Sequence, residues 1–428
     1  MKFFFDSIGC RLNQSEIEIM AYQVMQAGHD PVASPEECDV AVINTCSVTT
    51  AAASDSRSTI RGVYRRNREA QIVLTGCWSE LEHDAALALP GVIQVVTNSE
   101  KDTLIPSVLG LPELEPQWDV LERRSVPGIR RRTRAFIKVQ DGCDNHCTYC
   151  LPTIARGASR SLPIEAVIAE IRSAVKGGVK EVVLTGSQLS AYGLDQPDEH
   201  HLTTLIRSVL DQTNISRIRL SSLEPWGLPK DLFALLRDAR VCRQLHIPLQ
   251  SGCDKTLRRM GRPISSDAFA DLVSEARETI PGLAVTTDIM VGFPGETVKE
   301  FELSLAFIEK MRFAGAHVFI YSPRRGTAAV HLANHIPTQV ARERSLRVRK
   351  IVGESGHTFR IGFLGTTMPV LWEKACPSES NGWDLTGLTD NYIRVRADSR
   401  DDLGNKISLA HLREIEGETV RGELIEER

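Results

Sequence analysis

The sequence predicts a three-part α/β chain. A parallel-sheet α/β domain occupies residues 1–115, a partial (β/α)6 barrel residues 134–355, and a small β-barrel residues 360–428. A basic linker, 116–133, joins the first two. Three observations carry this. At 428 residues the chain exceeds one ordinary core. Apolar strand-like runs alternate with helical faces, first over a short stretch and then over a longer one. After about Phe363 the helical period gives way to short strand patterns with Gly- and Asp-rich turns.

The elements follow in order. KFFFDSIG, DVAVINT and QIVLTG read as buried strands, and IEIMAYQVMQAG and AALAL as helical faces, which makes an α/β unit with a parallel sheet. LPELEPQWDV is acidic and contains proline. RRSVPGIRRRTR then carries Arg123, Arg124, Arg130, Arg131, Arg132 and Arg134, so the stretch reads as a linker or exposed arm. Candidate barrel strands are RAFIKVQ, KEVVLTG, RIRLSS, QLHIPL, LAVTTDIMVGF and AHVFIYS. Between the first two, Ile164, Val167, Ile168, Ile171 and Val175 share one helical face. Six strands suit a six-unit partial barrel better than the full eight-stranded form of about 250 residues. ARERSLRVRK (341–350) reads as a basic helix. TMPVLWEK, DNYIRVRA and KISLAHL read as strands of a small barrel.

Composition narrows the function classes. Hydrophobic content of 42% and charged content of 25% are ordinary for a soluble globular protein. No apolar run reaches membrane-spanning length, and MKFFFDSIGC is too short and too acidic for a signal peptide. A cytoplasmic protein without membrane attachment is expected. Its ten cysteines would there be reduced, which favours metal or redox chemistry over disulfides. The net charge of −4 excludes a uniformly basic nucleic-acid binder, although positive charge is concentrated in the two arginine-rich stretches.

DGCDNHCTYC places Cys143, Cys147 and Cys150 in the spacing C-x₃-C-x₂-C, directly after the first barrel strand. That is the C-terminal mouth, where barrel enzymes keep their chemistry. Thiolates suit zinc or iron–sulfur clusters. A zinc site would need a distant fourth ligand or His146, which lies between the first two cysteines and would have to fold back. Three thiolates on a four-iron cluster leave one iron open to a small molecule, as catalytic zinc sites leave one position open.

This motif on the first strand of a partial barrel resembles the radical S-adenosylmethionine (SAM) superfamily. The resemblance implies that the open iron chelates SAM, which is cleaved to a 5′-deoxyadenosyl radical. LTGSQ (184–188) and VGFPGET (291–297) are similar in order and placement to the superfamily's second- and fifth-strand motifs.

Cys10, Cys46 and Cys77 each follow a predicted strand of the N-terminal domain, 36 and 31 residues apart. Strand C-termini of a parallel sheet lie on one edge, where ligands bind. A single such cysteine would read as a small buried apolar residue. Three at equivalent strand ends read as a second cluster site. Cys38, Cys242, Cys253 and Cys376 lack the pattern and read as ordinary cysteines. GCRLNQSE, NTCSVT and TGC resemble the N-terminal domain of the methylthiotransferases, and the C-terminal barrel resembles their TRAM domain. Within that family NTCSVT, SRSTIRG, RIRLSSLEP, HIPLQSGCD and YSPRRGTAA look most like the MtaB branch. One local departure, Leu151-Pro152-Thr153 after the last motif cysteine, alters the loop where the family commonly has two aliphatics and then proline, while the Arg156-Gly157 pair keeps its usual distance.

The resemblance implies two [4Fe-4S] clusters, SAM, a tRNA substrate, an electron-donor protein and a sulfur source. The implied reaction converts N6-threonylcarbamoyladenosine at tRNA position 37 to its 2-methylthio derivative. Alternatives are an isopentenyladenosine enzyme (MiaB-like), a ribosomal-protein aspartate enzyme (RimO-like) and a non-catalytic metal-bearing RNA-binding protein. Gln188, Glu224 and Gln250, at or just after strand ends, are candidate SAM contacts. Arg342, Arg344, Arg347, Arg349 and Lys350 form a second basic arm beside the linker arginines. Trp372, Trp383 and Tyr392 are candidates for stacking on bases, or else for filling the barrel core.

Overall fold

The computed structural model describes residues 1–112, 133–196, 201–229, 231–378 and 382–425. The chain divides into two compact bodies. One comprises Met1–Asn145, Cys150–Gly178 and Thr185–Ser187; the other comprises His146–Tyr149, Val179–Leu184 and Gln188–Arg428. Most linker arginines, Arg123, Arg124, Arg130, Arg131 and Arg132, lie outside the described residues.

The first body is built on a five-stranded parallel sheet. Its order is Asp30–Val32, Lys2–Ser7, Val40–Thr45, Gln71–Gly76, Val92–Val95. The central strand VAVINT is buried along its length because both faces are covered. Side chains alternate across a strand. Val40 and Val42 therefore pack with Phe3, Phe5 and the helix Arg11–Gln26, through Ile17, Met20 and Val24. Ala41 and Ile43 pack on the other face with Ile60 and Val63 of the helix Thr50–Arg66. That second helix has no counterpart among the predicted elements, since its sequence is mostly small and polar. Its start is fixed by the Thr49 hydroxyl, which accepts from the Ala52 N–H at 3.0 Å.

All six predicted barrel strands form: Arg134–Lys138, Glu181–Thr185, Arg217–Leu220, Gln244–His246, Ala284–Val291 and Gly315–Ile320. In the second body, Arg217–Leu220 pairs parallel with the strand before it. The last three make a parallel sheet, and single bridges connect Ile218 to Val241 and Ser222 to His246. The helix Thr338–Ile361 follows, longer than the ten-residue basic stretch that announced it.

The C-terminal strands close into a five-stranded barrel: Thr367–Pro377, Trp383–Thr389, Arg394–Ser399, Thr419–Leu424, Ile407–Glu416. Its strands Trp383–Thr389 and Thr419–Leu424, each carrying a glycine, have no counterpart among the three predicted barrel strands. Trp372 is fully buried among Val370, Leu385, Val395 and Leu412, and its indole N–H donates to Ser408 at 2.7 Å. It fills the core, so the stacking role considered for it is corrected. Trp383 packs against the same core, whereas Tyr392 remains 37% exposed. The barrel is tied to the neighbouring strand by Arg217, which donates to the carbonyls of Leu388 (2.9 Å) and Pro369 (2.7 Å). Arg219 donates to those of Asp390 (3.0 Å) and Thr389 (3.2 Å).

Candidate functional site

The parallel register sets the N-terminal site. Ser7 pairs with Asn44, and Thr45 with Gly76. Cys10, Cys46 and Cys77 therefore emerge from neighbouring strands at one edge. Two glycines make this geometry possible. Gly9 has φ +92°, and a Cβ there would lie 2.4 Å from the Cys46 sulfur. Gly76 has φ +99°, and a Cβ there would lie 2.3 Å from the Thr45 carbonyl oxygen. Both positions need a backbone conformation that side chains resist and a space that side chains would fill. Cys46 and Cys77 are buried, whereas Cys10 is exposed at the rim.

The walls are fixed by hydrogen bonds. The Cys46 N–H donates to Ser56 at 3.0 Å, and the Ser79 N–H donates to the Thr45 hydroxyl at 3.0 Å. Asn13 ties two strand ends together, donating to Ile8 O (2.9 Å) and Thr45 O (3.0 Å). Its own carbonyl oxygen accepts from Arg156 at 2.7 Å and faces the Cys10 thiol at 3.5 Å.

Arg156 ends the short helix Pro152–Arg156, just after Cys150, and its guanidinium is buried. It donates to Glu16 at 3.0 Å and to Asp141 at 2.8 Å. Glu16 also meets Lys101 at 2.7 Å and Asn44 at 2.8 Å. Burial alone would raise the Glu16 pKa. Arg156, Lys101 and Lys138 together outweigh burial and hold it well below the carboxylate range. Burial pushes the Cys46 thiol up to about 11 and raises Cys77 as well, with the Arg156 charge opposing both shifts. Arg156 enters the sequence reading only as part of the Arg156-Gly157 pair, and Glu16 only as the end of GCRLNQSE, each without a role. A basic residue six positions after the last motif cysteine was the available signal.

In the C-x₃-C-x₂-C segment the chain runs from Gly142 to Leu151 without helix or strand. The Cys143 N–H donates to Gly157 O at 3.0 Å, and Thr153 donates to the Cys150 sulfur at 3.5 Å; these belong to the first body. Cys147 groups with the second, where the neighbouring Thr148 donates to the carbonyls of Arg259 (3.0 Å) and Met260 (2.9 Å). Among the described residues no set of three or more His, Cys, Asp or Glu side chains is arranged around one ion position.

In the second body, Gln250 is buried with φ +70°, and its side-chain carbonyl oxygen has no hydrogen-bond partner. A strained backbone and an orphan acceptor in one residue point to a ligand contact. Glu224 is held by Arg262 at 2.8 Å, and Arg262 also stacks over Trp226 at 4.6 Å. Gln188 is buried at the start of the turn Leu189–Ala191. The second basic arm is partly structural. Arg344 is buried against Glu296 (2.6 Å), Arg349 donates to Val318 O (2.5 Å), and Arg347 pairs with Glu302 (2.5 Å). That corrects the reading of these residues as one phosphate-binding arm; Arg342 and Lys350 remain exposed.

Comparisons with known proteins bear on this arrangement. Residues 137–308 match the Radical SAM superfamily, and residues 2–98 match an uncharacterised protein family, UPF0004. The chain is 33% identical to the threonylcarbamoyladenosine tRNA methylthiotransferase MtaB of Bacillus subtilis, over 94% of this chain and 92% of that protein. It is 37% identical to the protein of the same name in Chlamydia pneumoniae, over 88% and 87%. The chain belongs to the methylthiotransferase family of radical SAM proteins. The tRNA-2-methylthio-N(6)-dimethylallyladenosine synthase of Bacillus mycoides is 30% identical over all of this chain and 86% of its own length. Among solved structures, the radical SAM methyltransferase TsrM of Kitasatospora setae superposes with a TM-score of 0.59 at 15% identity, covering 77% of each chain, which supports the fold. No helix among the described residues is long and apolar enough to cross a membrane.

Proposed function

We propose that the protein is a tRNA methylthiotransferase that converts N6-threonylcarbamoyladenosine at position 37 to its 2-methylthio derivative. The observation that carries this reading is the meeting of Cys10, Cys46 and Cys77 at one sheet edge, beside the segment that bears Cys143 and Cys150. The donor set fits iron–sulfur chemistry. Three thiols stand at neighbouring strand ends, Cys10 exposed and Cys46 and Cys77 buried, with the buried Arg156 guanidinium close by through Asn13. Cys143, Cys147 and Cys150 would hold the cluster that binds SAM, and Cys10, Cys46 and Cys77 a second [4Fe-4S] cluster.

Bound iron–sulfur groups and SAM supply radical chemistry, which removal of an inert adenine C2 hydrogen requires. The chain's own residues bind and orient. Gln250 presents an unpaired acceptor suited to a donor on SAM. Arg262 fixes the Glu224 carboxylate, and Gln188 lines the end of its strand. Tyr392 and the exposed arginines offer stacking and phosphate contacts to tRNA. The reaction also needs an electron-donor protein and a sulfur source, and a tRNA enzyme of this kind works in the cytoplasm. The domain division follows the sequence: an N-terminal cluster domain to about residue 115, a radical SAM barrel over 134–355 and a TRAM-like barrel over 360–428.

Nucleoside analysis of tRNA from a deletion strain tests the substrate. The strain should lack 2-methylthio-N6-threonylcarbamoyladenosine and accumulate its unthiolated precursor. Loss of the dimethylallyladenosine derivative would move the protein to the other tRNA branch, and loss of neither would refute the tRNA assignment. Replacing Cys143, Cys147 and Cys150 with Ala should abolish 5′-deoxyadenosine formation, whereas replacing Cys10, Cys46 and Cys77 should stop thiolation and leave SAM cleavage.

A further inference from the structure

Behind the sheet edge that carries the three N-terminal thiols, buried cations outnumber buried carboxylates. Arg156, Lys101 and Lys138 are buried cations, and the buried carboxylates they meet are Glu16 and Asp141. From exposed positions Asp102 approaches Lys138 at 3.4 Å and Arg160 approaches Asp141 at 3.8 Å, one further charge of each sign. This cluster of charges lies behind the sheet edge that carries the thiols, so negative charge placed at that edge adds to what the carboxylates supply. Geometry links the guanidinium to these thiols: the Asn13 side-chain oxygen accepts from Arg156 at 2.7 Å and lies 3.5 Å from the Cys10 sulfur, and Cys10 shares its sheet edge with Cys46 and Cys77.

The guanidinium is also held rigidly. Glu16 at 3.0 Å, Asp141 at 2.8 Å and Asn13 at 2.7 Å fix its plane from three sides. Asp141 is itself anchored by the Gly142 N–H at 2.8 Å and the Ser187 hydroxyl at 3.2 Å. Asn13 is anchored by the two strand-end carbonyls. A planar fork with this many partners cannot swing away when the charge of its neighbour changes. Arg156 thus differs from a solvent-exposed arginine, which would follow the charge and screen it.

We propose that Arg156, backed by Lys101, is the fixed counter-charge of the group held by Cys10, Cys46 and Cys77, and that it sets the reduction potential of that group. The proposal rests on the reading that these cysteines hold an iron–sulfur cluster. One-electron reduction makes such a group one charge more negative. A fixed positive neighbour in a low-dielectric pocket favours the reduced form and raises the potential. Glu16 acts in the opposite sense through the same guanidinium. Arg156 is a positioning residue here, since it supplies charge and geometry and no bond to iron.

The test uses the full chain with Cys143→Ala, Cys147→Ala and Cys150→Ala, reconstituted with iron and sulfide, so that only the N-terminal group contributes. Its midpoint is read by redox titration followed by electron paramagnetic resonance. Arg156→Gln should shift the midpoint to lower potential, Arg156→Lys should shift it less, and Glu16→Gln should shift it upward. A purely structural residue would not give opposite signs for the two charges. Unchanged midpoints in variants that retain their iron would overturn the proposal and leave the cluster reading intact. If Arg156→Gln fails to load iron, Arg156→Lys and Glu16→Gln decide, and parental midpoints in both would equally overturn it. If Cys10→Ala, Cys46→Ala and Cys77→Ala together leave the iron content of this background unchanged, the cluster reading itself fails.

Discussion

Arg156 and Arg219 are both buried arginines beside a cysteine, and their surroundings differ in kind. Arg219 spends its donors on Glu181, at 2.8 and 3.1 Å, and on the carbonyls of Thr389 and Asp390 in the C-terminal barrel. Its neighbour Arg217 ends on two more barrel carbonyls. Burial pushes Cys242 up to about 12 despite the Arg219 charge, so this thiol stays protonated. The arrangement is closed and serves attachment of the barrel. Around Arg156 the partners are two carboxylates and one asparagine, and that asparagine also faces the Cys10 thiol at 3.5 Å. Arg219, satisfied by Glu181 and barrel carbonyls, forms a joint, whereas Arg156 lies behind the strand ends that carry three cysteines, which is the arrangement the proposed cluster site uses.

The largest effect that could break this comparison is expected at Arg219. Arg219→Met removes the closest partner of a fully buried Glu181 and frees two barrel carbonyls, and should cost roughly 3–5 kcal/mol in denaturant unfolding. Iron content after reconstitution should be unaffected in the protein that remains folded. Lost iron with parental stability would make the two arginines alike. Gly9→Ala comes next. The alanine would have to hold a positive φ, at about 1–2 kcal/mol, and its methyl would displace the Cys46 sulfur. Iron should be lost from the N-terminal site alone. Retention of that iron would show that the close approach of Gly9 to Cys46 is incidental.

Two smaller effects sharpen the contrast. Arg217→Lys keeps the charge and loses the reach to both Leu388 and Pro369. Weakening by about 1–2 kcal/mol is expected, together with earlier proteolytic release of the barrel. A parental melting profile would remove Arg217 from the joint. The smallest effect concerns Glu300, held at about 2 by its hydrogen bond to Arg259 against the opposing effect of burial. A carboxylate with a depressed folded pKa stabilises fully above its ordinary value of 4.5 and loses that contribution as pH falls toward 2. Glu300→Gln should therefore flatten the acid limb of the stability profile below about pH 4.5. An identical limb in both proteins would show that the Arg259 pair carries no net stability.

By itself the sequence determined the local features. Alternation of buried strands and helices announced the parallel sheet and the six barrel strands, because period and apolar content are properties of short segments. The C-x₃-C-x₂-C spacing is equally local, as was the short-strand pattern of the C-terminal barrel. The sequence also placed Cys10, Cys46 and Cys77 at strand ends. Only the tertiary structure decided the rest. Trp372 and Tyr392 look alike as aromatic residues of a small barrel, and closure of the five strands buried one and left the other at the surface. The helix Thr50–Arg66 lacked a strong apolar stripe, so packing on the sheet, not pattern, defines it. Arg156 and Glu16 are 140 residues apart, and nothing in either segment indicates the other. Their pairing exists because the helix Arg11–Gln26 and the short helix Pro152–Arg156 meet where water is excluded, and there charge is balanced by the groups the fold brings within reach.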